Sequence, residues 1–191
     1  MKTSVFLDRD GVINRYPGDG KYVTSVKEFR FLPKVKKAIA LLTAHKYPIF
    51  IISNQAGVGK GLYTQEALDR ITEYMLKELA RHKAKVQAVY YCAHRNEDNC
   101  SCRKPKAGLI LSAIKHNSNA GLEEVDIQNS FFVGDTIRDV QTARAAGCRS
   151  ILVFSGQEKP AHRDSWQAQP DYVFPDLYQA AEFIVNQKSA L

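Results

Sequence analysis

Apolar residues in this chain come in short continuous runs separated by stretches of helical periodicity, and this alternation limits the possible folds more than any other feature. The runs are Ser4 to Leu7, Ile49 to Ile52, Val86 to Tyr91, Phe131 to Val133, Ile151 to Phe154 and Tyr172 to Phe174. Continuous β-rich runs without polar alternation belong to strands buried on both faces, as in a parallel sheet. Between them lie helical patterns. Pro33 stands where a first-turn proline would, ahead of Val35, Ile39 and Leu42. Thr64 is placed to cap a helix carrying Leu68, Ile71, Met75 and Leu79. Leu109 to Ile114 reads as a shorter helix. Ile137, Val140 and Ala143 mark another, stopped by Gly147, and Asp176 to Gln187 closes the chain. The rhythm predicts an α/β fold, a doubly wound and mostly parallel sheet forming a single domain over residues 1–191. Three long non-periodic stretches, 11–32, 92–105 and 155–170, are the places to look for function.

Composition excludes several classes. No apolar run reaches the ~18 residues of a membrane span, and Met1-Lys2-Thr3-Ser4-Val5-Phe6-Leu7-Asp8 meets charge too early for a signal peptide. The formal charge of +7 favours an anionic partner. Four cysteines without an export signal point to a reducing cytoplasm, hence to metal or free thiols rather than disulfides.

The chemistry gathers at strand ends. Asp8-Arg9-Asp10-Gly11 follows the first strand, and in an extended segment residues i and i+2 point the same way. Two carboxylates so close need a shared proton or a cation, and an oxygen-seeking ion such as Mg²⁺ would satisfy them. The second strand ends in Ser53-Asn54-Gln55, the fourth in Gly134-Asp135-Thr136-Ile137-Arg138-Asp139, and Lys104 follows the third. Parallel connectivity brings such ends into one crevice at the carboxyl edge of the sheet.

Cys92-x-His94 and Cys100-x-Cys102, separated by five residues, form a second constellation. Three thiolates and an imidazole make a closed tetrahedral Zn²⁺ set with no open position, so this zinc is structural. It would fold a polar loop that has no core and fix Arg103 and Lys104 beside the crevice. Cys148 reads as a small core residue, and His45, His82, His116 and His162 as surface histidines. Gly57-Val58-Gly59-Lys60-Gly61 lacks the spacing of a nucleotide-binding loop and reads as a turn behind Ser53-Asn54-Gln55.

Asp8-x-Asp10, Ser53, Lys104 and Gly134-Asp135-x-x-x-Asp139, in this order, resemble the four motifs of the haloacid dehalogenase superfamily of phosphatases. The resemblance implies that Asp8 attacks phosphorus to form an aspartyl-phosphate and that Asp10 serves as acid and then base. It implies Mg²⁺ held by the Asp8 carboxylate, the Asp10 carbonyl and Asp135, with Ser53 and Lys104 on the phosphate oxygens. Asp139 is expected to orient its neighbours.

The zinc loop, with Arg103-Lys104-Pro105 after it, is similar to two subgroups, the D-glycero-D-manno-heptose 1,7-bisphosphate phosphatases and the histidinol-phosphate phosphatases. Asp8 to Asn14, Tyr22-Val23, Phe29 to Pro33 and Asn54 to Gly61 favour the heptose group, and with it a small sugar phosphate as substrate. Pro17-Gly18-Asp19-Gly20 and Lys106-Ala107-Gly108 depart from the usual pattern on the substrate side. The chain is too short for a large cap domain, so residues 11–32 form only a flap over an open crevice. Asp19, Lys21 and Tyr22 are candidate contacts, Asn54 and Gln55 suit hydroxyls, and Arg103 suits a distal anion. A nucleic-acid 3′-end phosphatase uses related motifs and would suit the charge. No stripe of basic and aromatic residues supports it, so neither nucleic acid nor membrane is an expected partner. The chain is expected to act as a monomer.

Overall fold

The computed structural model describes residues 1–121 and 123–187. Its six strands are β1 (Val5–Leu7), β2 (Ile49–Asn54), β3 (Ala88–Cys92), β4 (Phe131–Gly134), β5 (Arg149–Val153) and β6 (Tyr172–Phe174). They form one sheet in the order β3-β2-β1-β4-β5-β6, with every neighbouring pair parallel. Successive residues of β1 point to opposite faces, and both faces are covered. Val5 and Leu7 pack with the helices α1 (Val35–Ala44), α3 (Gln65–Ala80) and α6 (Leu177–Gln187). Phe6, stacked on Phe50 with ring centroids 5.4 Å apart, packs with α4 (Gly108–Asn119) and α5 (Ile137–Ala146). A further four-residue helix, α2 (Ala56–Gly59), follows β2. Among the described residues no helix is long and apolar enough to cross a membrane.

Helix boundaries follow local chemistry. The Thr64 hydroxyl accepts the Ala67 N–H at 3.2 Å and opens α3. Asp176 accepts the Gln179 N–H at 2.9 Å, so α6 begins one residue later than periodicity predicts. Gly147, at φ 81°, ends α5 in the left-handed conformation that glycine adopts without strain. Pro33 is not the first helical residue. Lys34 intervenes with φ 60°, and α1 starts at Val35. The predicted helix over Leu109–Ile114 runs on to Asn119.

Register sets the site. Leu7 pairs with Ile51 of β2 on one side and Val133 of β4 on the other. The residues that follow, Asp8, Ser53 and Asp135, therefore emerge together where strand order reverses, the ligand crevice of open α/β sheets. The chain between β1 and α1 crosses this edge as a flap. Bridges from Asp10 to Asn14 and from Asn14 to Phe31 pin it, and no inserted cap domain is present among the described residues.

Candidate active site

Asp8 stays tied to the sheet through its N–H, which donates to the Val133 carbonyl at 2.9 Å. One carboxylate oxygen accepts the Arg9 N–H at 2.7 Å, and the other receives Lys104 Nζ at 2.9 Å. Lys104, 4% exposed, also donates to Asp139 Oδ1 at 2.6 Å. The remaining Asp139 oxygen accepts the Thr136 N–H and hydroxyl at 3.1 and 2.6 Å, closing the capping box of α5. Both Asp139 oxygens are thus used to hold Lys104 and the helix start. Asp135 accepts the Gln157 N–H at 2.8 Å. Gly11 and Gly156 lie so near that a Cβ on either would fall about 2 Å from Asp135 Oδ2. Glycine is required at both positions, and at Gly11 also by its φ of +84°.

Asp8, Asp135 and Asp139 offer oxygens within 4.8 Å of one another. Burial raises Asp8 to about 6; Lys104 opposes the shift, and Asp139 and Asp10 add to it. Burial, with Asp139 and Asp8, holds Asp135 well above the usual carboxylate range. Burial pulls Lys104 down, but Asp139 and Asp8 outweigh it and keep it firmly charged. One ammonium does not neutralise three buried carboxylates, and with Asp139 already engaged, the Asp8 and Asp135 oxygens fit a hard divalent cation. A raised folded value means that the folded state binds a proton the unfolded chain does not. For Asp8 the resulting cost is full above about 6 and disappears as pH falls from there toward 3.8. Metal-free protein is therefore expected to melt higher near pH ~5 than near pH ~7, and added Mg²⁺ to stabilise more at the higher pH. Thermal melts with and without Mg²⁺ check this, and the pH effect should shrink in Asp8→Asn.

Asp10 is clamped from three directions. Arg9 Nη2 reaches its two oxygens at 3.1 and 3.0 Å, Asn14 donates at 2.8 Å and Gln55 at 2.7 Å. Arg9 is fully buried, its guanidinium 5.7 Å from the Tyr91 ring centroid, and its Nε and Nη1 have no hydrogen-bond partner among the described residues. Removing one partner of a buried pair is costlier than the pair is favourable. Arg9→Met is expected to lower stability by about 2–4 kcal/mol, read from urea unfolding, and to loosen the orientation of Asp10.

Around the reaction centre lies a cavity of about 170 Å³. Asp8, Asp10, Ser53, Lys104 and Asp135 line it, and so do Lys21, Tyr22, Asn54 and Arg103. Two predicted contacts are placed elsewhere. Gln55 is fully buried, and its amide is spent on Asp10, on Ser53 Oγ at 3.2 Å and on the Tyr63 hydroxyl at 2.6 Å, so it braces the floor from behind. Asp19 accepts the Tyr16 hydroxyl and lies outside the lining. Asn54 faces the cavity, but its side chain exchanges two hydrogen bonds with the Lys104 backbone, at 3.1 and 3.2 Å. Tyr16, Gln157 and Arg138 line the cavity without having been singled out from the sequence. Arg138 sits inside the Asp135–Asp139 motif, while Tyr16 and Gln157 lie in loops whose paths no periodicity reveals.

Cys92 closes β3, and the next ten residues fold back on it. Donor atoms of Cys92, His94, Cys100 and Cys102 lie within 4.8 Å of one another. Sulfur–sulfur separations are 3.2 to 3.6 Å, and His94 Nδ1 is 3.2 Å from Cys102 Sγ. A tetrahedron with Zn–S bonds near 2.3 Å has edges of about 3.8 Å, so four donors at this spacing around one centre fit Zn²⁺. All four cysteines are free thiols. Below the cluster, Arg103 Nε donates to Asn96 at 2.6 Å, and Lys106 Nζ donates to the Asn99 and Cys100 carbonyls. Gly108 passes so close to the Ser101 carbonyl that a Cβ would fall 2.3 Å from it. The loop thereby delivers Arg103 and Lys104 to the crevice.

The HAD-hydrolase-like family model matches residues 101–180. D-glycero-alpha-D-manno-heptose-1,7-bisphosphate 7-phosphatase of Campylobacter jejuni is 36% identical over 83% of this chain and 87% of its own length. D-glycero-D-manno-heptose-1,7-bisphosphate 7-phosphatase of Chlorobaculum tepidum is 35% identical over 97% of this chain and 96% of its own. The crystal structure of D,D-heptose 1,7-bisphosphate phosphatase from B. bronchiseptica, complexed with magnesium and phosphate, superposes with a TM-score of 0.86 at 33% identity, covering 98% of this chain and 99% of that one. By fold, site and near full-length similarity, the chain belongs to the D-glycero-D-manno-heptose-1,7-bisphosphate 7-phosphatase family of HAD-like hydrolases.

Proposed function

We propose that this chain hydrolyses the C7 phosphate of D-glycero-D-manno-heptose 1,7-bisphosphate through a phosphorylated Asp8. The observation that carries the reading is the buried Asp8 carboxylate, tied to the sheet and fixed by Lys104, at the centre of a cavity with Asp10 on its rim. An Asp8 oxygen attacks phosphorus, and the bond from phosphorus to the C7 oxygen breaks. Asp10 gives that oxygen its proton. It then takes a proton from the water that attacks the aspartyl-phosphate, and inorganic phosphate leaves as the bond to Asp8 breaks. Lys104 and the Ser53 hydroxyl hold the non-bridging oxygens. Arg9, Asn14 and Gln55 keep Asp10 in one orientation across both proton transfers.

Asp8, Asp135 and the Asp10 carbonyl would hold Mg²⁺, which when bound supplies charge neutralisation at the transferring phosphoryl group. Cys92, His94, Cys100 and Cys102 would hold zinc that shapes the loop and takes no part in the reaction. Lys21, Tyr22, Asn54 and Arg103 would face the sugar, with Arg103 favouring an anionic far end over the cationic amine of histidinol. The four phosphatase motifs are complete within this one sequence, which suits action as a monomer, and the unpaired thiols suit the cytoplasm.

Phosphate release from heptose 1,7-bisphosphate, histidinol phosphate and an oligonucleotide 3′-phosphate, each with Mg²⁺, tests the reading. The expected result is a kcat/KM at least ~10-fold higher on the heptose, a difference of about 1.4 kcal/mol. A preference for histidinol phosphate would transfer the assignment to the second subgroup, and a preference for the oligonucleotide would move it outside both.

A further inference from the structure

Beside the reaction centre a second cavity, of about 330 Å³, opens between the zinc loop and the first turn of α5. Its charged lining residues are Arg103, Lys104, Lys106 and Arg138, and no carboxylate joins them among the described residues. Asn96 and Asn99 add amides. Arg103, Lys104 and Arg138 line both cavities.

Most of this positive charge is already engaged. Lys104 is held by Asp8 and Asp139, Lys106 by two carbonyls, and Arg103 by Asn96 and the His94 carbonyl. Arg138 differs: it makes no side-chain hydrogen bond or ion pair among the described residues. Helical geometry explains its position. Consecutive residues of a helix turn by about 100°, so Asp139 points into the floor while Arg138, one residue earlier, is turned outward and exposed. An exposed guanidinium that shares a cavity with three other cations, where no carboxylate is among the described lining residues, suits an anion there.

We propose that Arg138 determines specificity by gripping, opposite Arg103, the distal phosphate of a bisphosphate substrate in this second cavity. The proposal rests on the phosphatase reading above and adds the residue that lets the crevice tell a sugar bisphosphate from a monophosphate. A guanidinium suits the role because its fork matches two phosphate oxygens at once and its charge is permanent.

The test compares wild type, Arg138→Ala and Arg138→Lys on heptose 1,7-bisphosphate and heptose 7-phosphate. A charge-assisted hydrogen bond to phosphate corresponds to about 10- to 100-fold in affinity. The ratio of kcat/KM for bisphosphate over monophosphate should fall by that factor in Arg138→Ala, through KM rather than kcat, and recover in part in Arg138→Lys. An equal loss on both substrates, or no change in the ratio, overturns the proposal. Calorimetry separates this outcome from failure of the heptose assignment. In an Asp8→Asn background, fructose 1,6-bisphosphate should bind more tightly than fructose 6-phosphate, and Arg138→Ala should remove most of the difference. If wild type ignores the heptose yet this difference is found, the assignment falls and the role of Arg138 stands. If the two fructose phosphates bind alike, the role of Arg138 falls.

Discussion

Asp8→Asn is expected to lower kcat by about 10⁴-fold or more while leaving the protein folded. An amide is a far weaker nucleophile than a carboxylate, and removal of a catalytic nucleophile typically costs this much. Folding should survive for reasons visible in the site. The negative charge of Asp8 is a burden on the fold, since burial, with Asp139 and Asp10 and against Lys104, raises the pKa of its carboxyl to about 6. Lys104 keeps its bond to Asp139 when the Asp8 charge is removed. Urea unfolding should therefore show stability at pH ~7 equal to wild type or higher, since the cost of that ionised carboxylate is gone. Phosphate release by the folded variant within tenfold of wild type would rule out Asp8 as the attacking group.

Cys100→Ser is expected to have the next largest effect, through the loop rather than the reaction. Structural zinc in small sites contributes about 10–16 kcal/mol of apparent binding energy, and three remaining ligands cannot close the tetrahedron. The loop has little else to order it. Among its residues 93 to 103, none is a buried apolar side chain. Zinc content after dialysis should fall from about one per chain toward zero, and residues 92–105 should become sensitive to protease. Turnover should drop about 100-fold as Arg103 loses its fixed position, a size typical of displaced positioning groups. Lys104 is less exposed to this loss, because Asn54 bonds its backbone from β2. Full zinc retention, or loss of zinc without loss of activity, would contradict the structural role of the cluster.

How much of this could be read from the sequence depended on where the signal lay. The central strands were legible because β1, β2 and β4 are buried on both faces and so are built on unbroken apolar runs, β2 continuing past its run through Ser53 and Asn54. β3 lies at the edge, its first four residues only half-buried, and there the apolar run began two residues early and stopped short of Cys92. α4 was underestimated because Lys115, His116 and Ser118 extend it on an exposed face, where no apolar repeat marks a helix. At the site, the convergence of Asp8, Ser53 and Asp135 was legible because parallel pairing brings strand ends together in a calculable way, whereas Lys104, well beyond the end of β3, is carried there by its loop. The placement of Gln55 was not legible because its partners, Tyr63 and Asp10, lie eight residues ahead and forty-five behind. The placement of Asp19 was not legible because a turn directs it to Tyr16. Arg9 was overlooked although alternation along the strand end already opposed it to Asp8. That the opposite side is buried beneath Tyr91 is a tertiary fact.

Following heptose 1,7-bisphosphate by phosphorus-31 NMR, with Mg²⁺ and wild-type protein, tests the central claim most directly, because it shows which ester bond is cleaved. The account predicts that the C7 phosphate signal disappears into inorganic phosphate while the C1 phosphate signal persists. Loss of the C1 signal first, or an unchanged spectrum with fully folded, metal-loaded protein, would contradict it.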